Sequence, residues 1–117
     1  MTTYWGLQLI ADNGVAHTVA SFPAVVGKSH ESDVKIEGNP TISRAHARLL
    51  HADNLFAVED LGSTNCTYVQ GCIARPGRPL ILSEGDEVRF SDERFHVHLV
   101  AYDTNTTTLM KRQRWKI

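Results

Sequence analysis

Nothing in this sequence is long and apolar enough to form a helical membrane span, which needs about 18 consecutive apolar residues. The opening stretch, MTTYWGLQLIADNG, lacks a basic flank followed by an apolar block, so no secretory signal is expected. Neither sign of charge is in excess. Twelve Lys and Arg against 13 Asp and Glu leave a formal net charge of -1, so no global field argues for a nucleic-acid partner and any anion site must be a local cluster. Cysteine is scarce: Cys66 and Cys72 lack the CxxC spacing of a metal or redox pair. They read as free thiols of a reducing, intracellular compartment, cytoplasmic or nuclear, with a disulfide across a short hairpin as the alternative. A sustained period of 3.6 residues is also missing, which argues against a helical bundle. The 117 residues suffice for one hydrophobic core and not for two.

What the chain does have is short apolar runs closed by turn residues. Tyr4 to Ala11 runs into Asp12-Asn13-Gly14, a hairpin signal, and Val15 to Ala20 returns. Val25-Val26 stops at Gly27, and Val34-Lys35-Ile36 stops at Gly38-Asn39-Pro40. Ala45 to Leu50 and Leu55 to Leu61 flank a turn at Ala52-Asp53-Asn54. Thr67-Tyr68-Val69, Leu80-Ile81-Leu82, Glu87 to Phe90 and Phe95 to Leu99 follow, separated by Gln70-Gly71, Pro76-Gly77, Gly85-Asp86 and Ser91-Asp92-Glu93. Many short strands with such turns predict an all-β sandwich or barrel. From Asp103 the character changes: 103–108 is a Thr-rich linker, and 109–117 is a basic tail holding Lys111, Arg112, Arg114 and Lys116 around Trp115.

Three segments are over-polar for a small β protein: Gly27-Lys28, Ser43-Arg44-Ala45-His46, and Ser63-Thr64-Asn65-Cys66-Thr67. Each adjoins a strand end, where loops carry function on a rigid scaffold. Together they offer an ammonium, a guanidinium, hydroxyls, a carboxamide and loop amides, with no carboxylate among them. That inventory suits a phosphate dianion. Ser43 beside His46 also admits a nucleophile and its base, though the GxSxG elbow of one hydrolase class is missing and no carboxylate is placed beside His46 by sequence. His96 and His98, at i and i+2, share one strand face and would admit zinc. Phe95, Val97 and Leu99 take the other face, which predicts the histidines in solvent.

In order and spacing, Gly27-Lys28, Ser43-Arg44-Ala45-His46, Asp60-Leu61-Gly62-Ser63-Thr64-Asn65-Cys66-Thr67-Tyr68-Val69-Gln70-Gly71 and Leu82-Ser83-Glu84-Gly85-Asp86-Glu87-Val88 resemble the motifs of forkhead-associated (FHA) domains. The resemblance covers roughly residues 5–101, most of the chain, and sets the domain at 1–102. It implies a twisted β-sandwich of about eleven mostly antiparallel strands, binding phosphothreonine peptides through loops at one end. It further implies roles. Lys28, Ser43, Arg44 and Thr64 would hold the phosphate, and Asn65 the peptide backbone. Gly27, His46, Asp60 and Ser63 would support those loops. The implied partner is a phosphothreonine protein, with a serine/threonine kinase upstream, and no cofactor or metal is required. Phosphorylation of Thr104 or Thr106–Thr108 would allow head-to-tail self-association. Three residues depart from the pattern. Lys28 replaces a forked Arg. Cys66 replaces a Gly, which strains it if φ is positive. Gln70 replaces an Asn. They motivate the alternative of a degenerate scaffold binding a partner, or itself, without phosphate. Arg75 and Arg78, beside Pro76-Gly77, would read acidic ligand residues if their turn reaches the groove.

Overall fold

The structure is a computed structural model, and it describes residues 2–102. The Thr-rich linker and basic tail, with the self-association expected from them, lie outside the described residues. Eleven strands form: β1 (Tyr4–Ala11), β2 (Ala16–Val19), β3 (Ala24–Gly27), β4 (Val34–Lys35), β5 (Ala47–Ala52), β6 (Leu55–Asp60), β7 (Thr67–Val69), β8 (Cys72–Ala74), β9 (Leu80–Leu82), β10 (Glu87–Phe90) and β11 (Glu93–Ala101). They assemble into two sheets, a six-stranded one in the order β2-β1-β11-β10-β7-β8 and a five-stranded one in the order β4-β3-β5-β6-β9. Among the strand pairs of the described residues, β3 with β4 alone is parallel.

The core follows from the period of two. One inner face supplies Leu7, Leu9, Val69, Val88, Phe90, Phe95 and Val97; the other supplies Ala24, Val26, Ala47, Leu49, Phe56, Val58 and Leu82. His96 and His98 face outward, as their spacing predicts, and His98 Nδ1 lies 3.0 Å from Glu84 Oε2. Glu84 Oε1 also accepts the Leu99 amide, which occupies this acid locally. The long pairing of β1 with β11 ties the two ends of the described chain together.

Several boundaries differ from the sequence reading. β5 begins two residues late because Ala45 and His46 belong to the loop that turns toward β3. β8 is a three-residue strand, half-exposed, with too little apolar alternation to stand out. It is fixed by its pairing with β7 and by the loop after it, where Glu59 accepts the Gly77 amide at 2.6 Å and Arg48 Nε at 2.8 Å. In β6, Phe56 points into the core and Leu55 is exposed.

One close approach sets the functional end. A Cβ on Gly27 would lie 2.1 Å from the Arg44 carbonyl oxygen and 3.0 Å from that of Ser43. Without it, the Ser43–His46 segment runs against the end of β3. Lys28 N donates to Ser43 O at 3.1 Å, Ser29 N to Arg44 O at 3.2 Å, and His46 N to Val26 O at 2.8 Å. Gly27→Ala must therefore push this segment away. The expected cost is about 1–3 kcal/mol, read as a lower urea midpoint; an unchanged midpoint would mean that the loop gives way freely.

Candidate functional site

Four connections meet at one end of the sandwich: β3–β4, β4–β5, β6–β7 and β10–β11. The β4–β5 connection enters through an Asx turn, in which Asn39 Oδ1 accepts Thr41 N at 3.0 Å and Thr41 Oγ1 at 2.6 Å. Ile42, 1% exposed, pins the loop into the core between Thr41 and Ser43. Those two residues are thereby held half-exposed at the surface.

His46 is fully buried, and its ring meets Phe90 edge-on. Nδ1 accepts the Ser43 amide at 3.1 Å, so Nε2 carries the proton and donates to Cys66 O at 2.8 Å. One imidazole thus joins the β4–β5 loop to the β6–β7 loop. Both nitrogens are engaged, and neither is a base for the Ser43 hydroxyl. The same Cys66 carbonyl accepts Ser91 N at 3.0 Å, which brings in the β10–β11 turn.

Asp60 organises the β6–β7 loop from within. Its Oδ2 accepts the amides of Gly62 and Ser63, both at 2.9 Å, and its Oδ1 accepts the hydroxyls of Ser63 at 2.6 Å and Thr67 at 2.7 Å. Burial by itself raises the pKa of this acid. The hydrogen bonds from Ser63, Thr67 and Gly62 outweigh burial and hold it below the ordinary value of 3.8. Cys66 follows in the left-handed region at φ 71°, a conformation that costs an L-residue roughly 1–2 kcal/mol. Gln70, also left-handed at φ 50°, accepts Glu87 N through Oε1 at 2.6 Å and donates its own amide to Glu87 O at 2.9 Å. The longer amide side chain thus still fastens this hairpin, to β10.

The surface above these supports is an open depression of about 420 Å³, lined by Lys28, Thr41, Ser43, Arg44, Thr64 and Asn65 with neighbouring backbone. The structure therefore brings Lys28, Ser43, Arg44, Thr64 and Asn65 together, and it places Gly27, His46, Asp60 and Ser63 behind or beside them. Thr64 N donates to Ser43 Oγ at 3.2 Å, which leaves the hydroxyl proton of Ser43 for another acceptor. Asn65 Nδ2 donates to Thr41 O at 2.8 Å. Lys28 and Arg44 are exposed and pair with no carboxylate among the described residues. Arg75 and Arg78 do not line the depression.

Reading the sequence alone missed the third support. Ser91 Oγ donates to Thr41 Oγ1 at 2.7 Å, and Asn39 Nδ2 donates to Asp92 Oδ1 at 2.7 Å. These contacts brace the Thr41 carbonyl that holds Asn65. The Asx turn at Asn39 was available from local sequence; the partnership with Ser91 and Asp92, some fifty residues on, was not.

Acid should unfasten this end. Asp60 is depressed in the folded state, so its contribution is complete above the unfolded value. It is lost as pH falls through the lower folded value. Asp60→Asn should cost about 1–3 kcal/mol near neutral pH and flatten the acid limb of a stability-against-pH curve. A variant whose acid limb matches the parent would contradict this account of Asp60.

A sequence model described as "FHA domain" matches residues 24–91, more than half of the chain. Among curated proteins, the oxoglutarate dehydrogenase inhibitor of Corynebacterium diphtheriae is 40% identical over 68 residues, which is 58% of this chain and 45% of that one. The glycogen accumulation regulator GarA of Mycobacterium tuberculosis is 37% identical over 68 residues, 58% of this chain and 40% of that one. The chain spans less than half the length of these relatives. Among solved structures, Mycobacterium tuberculosis EmbR in complex with a low-affinity phosphopeptide superposes with a TM-score of 0.74 at 23% identity, covering 84% of this chain and 25% of that one. The FHA domain of CT664 from Chlamydia trachomatis superposes with a TM-score of 0.70 at 26% identity, covering 86% and 100%.

Proposed function

The chain belongs to the FHA-domain family, and from that membership we propose that it is a phosphothreonine-dependent peptide-binding module acting downstream of a serine/threonine kinase. The single observation that carries the reading is the convergence of Ser43, Arg44, Thr64, Asn65 and Lys28 on one open depression without a carboxylate on it. The module spans residues 1–102 in this reading. It makes and breaks no covalent bond, and needs no metal or cofactor. Two curated relatives carry the names of an inhibitor and a regulator, which accords with a role in controlling other proteins.

In the bound state the Ser43 hydroxyl donates to a phosphate oxygen, and Arg44 and Lys28 supply charge. Thr64 adds its hydroxyl at the rim, and Asn65 bonds the peptide backbone, which fixes register. The loops are already joined through His46, and the β6–β7 loop is held from within by Asp60, so little ordering entropy is spent on binding. A threonine γ-methyl taken into a small pocket is worth about 0.8 kcal/mol over serine. Lys28 gives a point charge where a forked guanidinium would grip twice, and Arg44, with no carboxylate partner among the described residues, is the forked cation at this site.

The phosphate-independent scaffold was motivated by Lys28, Cys66 and Gln70. The retained contacts of Cys66 and Gln70 favour the phosphate-dependent reading.

Titration against a randomised peptide library in phosphothreonine, phosphoserine and unmodified forms tests the proposal. The phosphothreonine form should bind, and Ser43→Ala should weaken it roughly 10- to 100-fold. Equal binding of the unmodified library, undiminished by Ser43→Ala, would establish the scaffold reading instead. The phosphate's second pKa is about 6, and its dianion is the form that attracts Lys28 and Arg44. Affinity should therefore fall as pH drops from 7.5 to 5; a flat profile would count against a dianion site.

A further inference from the structure

Beside the cradle lies a second depression, of about 490 Å³, lined by Lys28, His30, Lys35, Glu37 and Pro40 together with the buried Ile36. It shares Lys28 and Pro40 with the first, so the two are contiguous. Lys35 Nζ lies 3.0 Å from His30 Nδ1 and 2.9 Å from Glu37 Oε2. Ammonium is donor-only, so His30 Nδ1 accepts from it and the ring proton sits on Nε2. Two ammoniums and an imidazole N–H therefore belong to one hollow. The one carboxylate among them, Glu37, is 71% exposed and tied only to Lys35 among the described residues. An exposed pair of this kind is held weakly and is open to exchange.

Isolated surface lysines are usually no more than solvated. Here Lys35 is positioned by two partners, and its hollow opens directly onto the proposed phosphate site through Lys28. The cations of the other polar depression at this end are already engaged. Arg94 pairs with Asp12 and Glu87, and Arg89 donates to Ser91 O while lying over the Tyr68 ring.

We propose that this hollow is a second anion subsite, which takes another anionic side chain of the same phosphopeptide and places it on Lys35 and His30 in exchange for Glu37. The proposal rests on the phosphothreonine reading, because Lys28 joins the two sites.

The test uses synthetic peptides that carry one phosphothreonine among neutral residues, with glutamate or phosphoserine placed singly at each flanking position. The readout is the ratio of the dissociation constant of the single-anion peptide to that of each two-anion peptide. At the position that reaches the hollow, the ratio should be about 2 to 5 for the parent protein and should fall as salt is raised. It should drop to near 1 in Lys35→Met and increase in Glu37→Gln. In Lys35→Glu a lysine at that position should be preferred instead. A larger ratio for phosphoserine than for glutamate identifies a doubly phosphorylated ligand; a larger ratio for glutamate identifies an acidic one. Arg75→Gln, a change at an exposed cation outside both hollows, should leave the ratio unchanged. Binding of the single-anion peptide with ratios near 1 at every position would overturn the subsite and leave the proposed function standing. Loss of the ratio in Arg75→Gln as much as in Lys35→Met would overturn it too. No Ser43-dependent binding of the single-anion peptide would overturn both.

Discussion

The functional end of this molecule depends on one buried imidazole. His46 takes the Ser43 amide on one nitrogen and gives its other proton to the Cys66 carbonyl. A neutral ring in a single tautomer is the form that satisfies both contacts, because a proton on Nδ1 would face the Ser43 N–H. The β4–β5 loop of the five-stranded sheet and the β6–β7 loop, which crosses from that sheet to the six-stranded one, are thereby set at a fixed separation. The Ser91 amide shares the Cys66 carbonyl and adds the β10–β11 turn to the same joint. The hydroxyl, the amides and the two cations at the surface inherit their relative positions from it.

Seen from that joint, the departures from the family pattern separate by physical kind. Cys66 accepts a left-handed backbone at some cost, yet its contribution to the joint is a carbonyl, which every residue has. Gln70 keeps a side-chain amide and still reaches a backbone partner across the hairpin, on Glu87. Lys28 is different, since in the proposed site this position acts through its side chain, and a fork has become a point. It also lines both depressions, standing between the Ser43–Arg44 segment and the hollow of His30 and Lys35. A point charge on a flexible stem suits a bridging position better than a planar fork committed to one phosphate.

How much was legible beforehand follows the range of the interactions. Strands with clean alternation, such as Phe95 to Leu99, and turns closed by Asn-Gly or Pro-Gly declare themselves locally. So does the absence of carboxylates from the three polar segments Gly27-Lys28, Ser43–His46 and Ser63–Thr67. β8 does not, because Cys72-Ile73-Ala74 has no alternation of its own and exists through its neighbours. The start of β5 shifted for a similar reason: Ala45 and His46 carry strand-like residues, but the approach to Gly27 diverts them. At the site, the residues that carry polar groups to the surface were readable from type and spacing. The pairing of Thr41 with Ser91 and of Asn39 with Asp92 was not, since each is a contact between segments about fifty residues apart.

The most direct measurement is a two-dimensional amide NMR titration of the protein with a phosphothreonine peptide and with its unphosphorylated twin. The account predicts that the phosphorylated peptide alone shifts the amides of Lys28, Ser43, Arg44, Thr64 and Asn65, while β2 and the outer face of β11 stay still. Shifts of the same size from both peptides, or shifts centred away from those five residues, would contradict it.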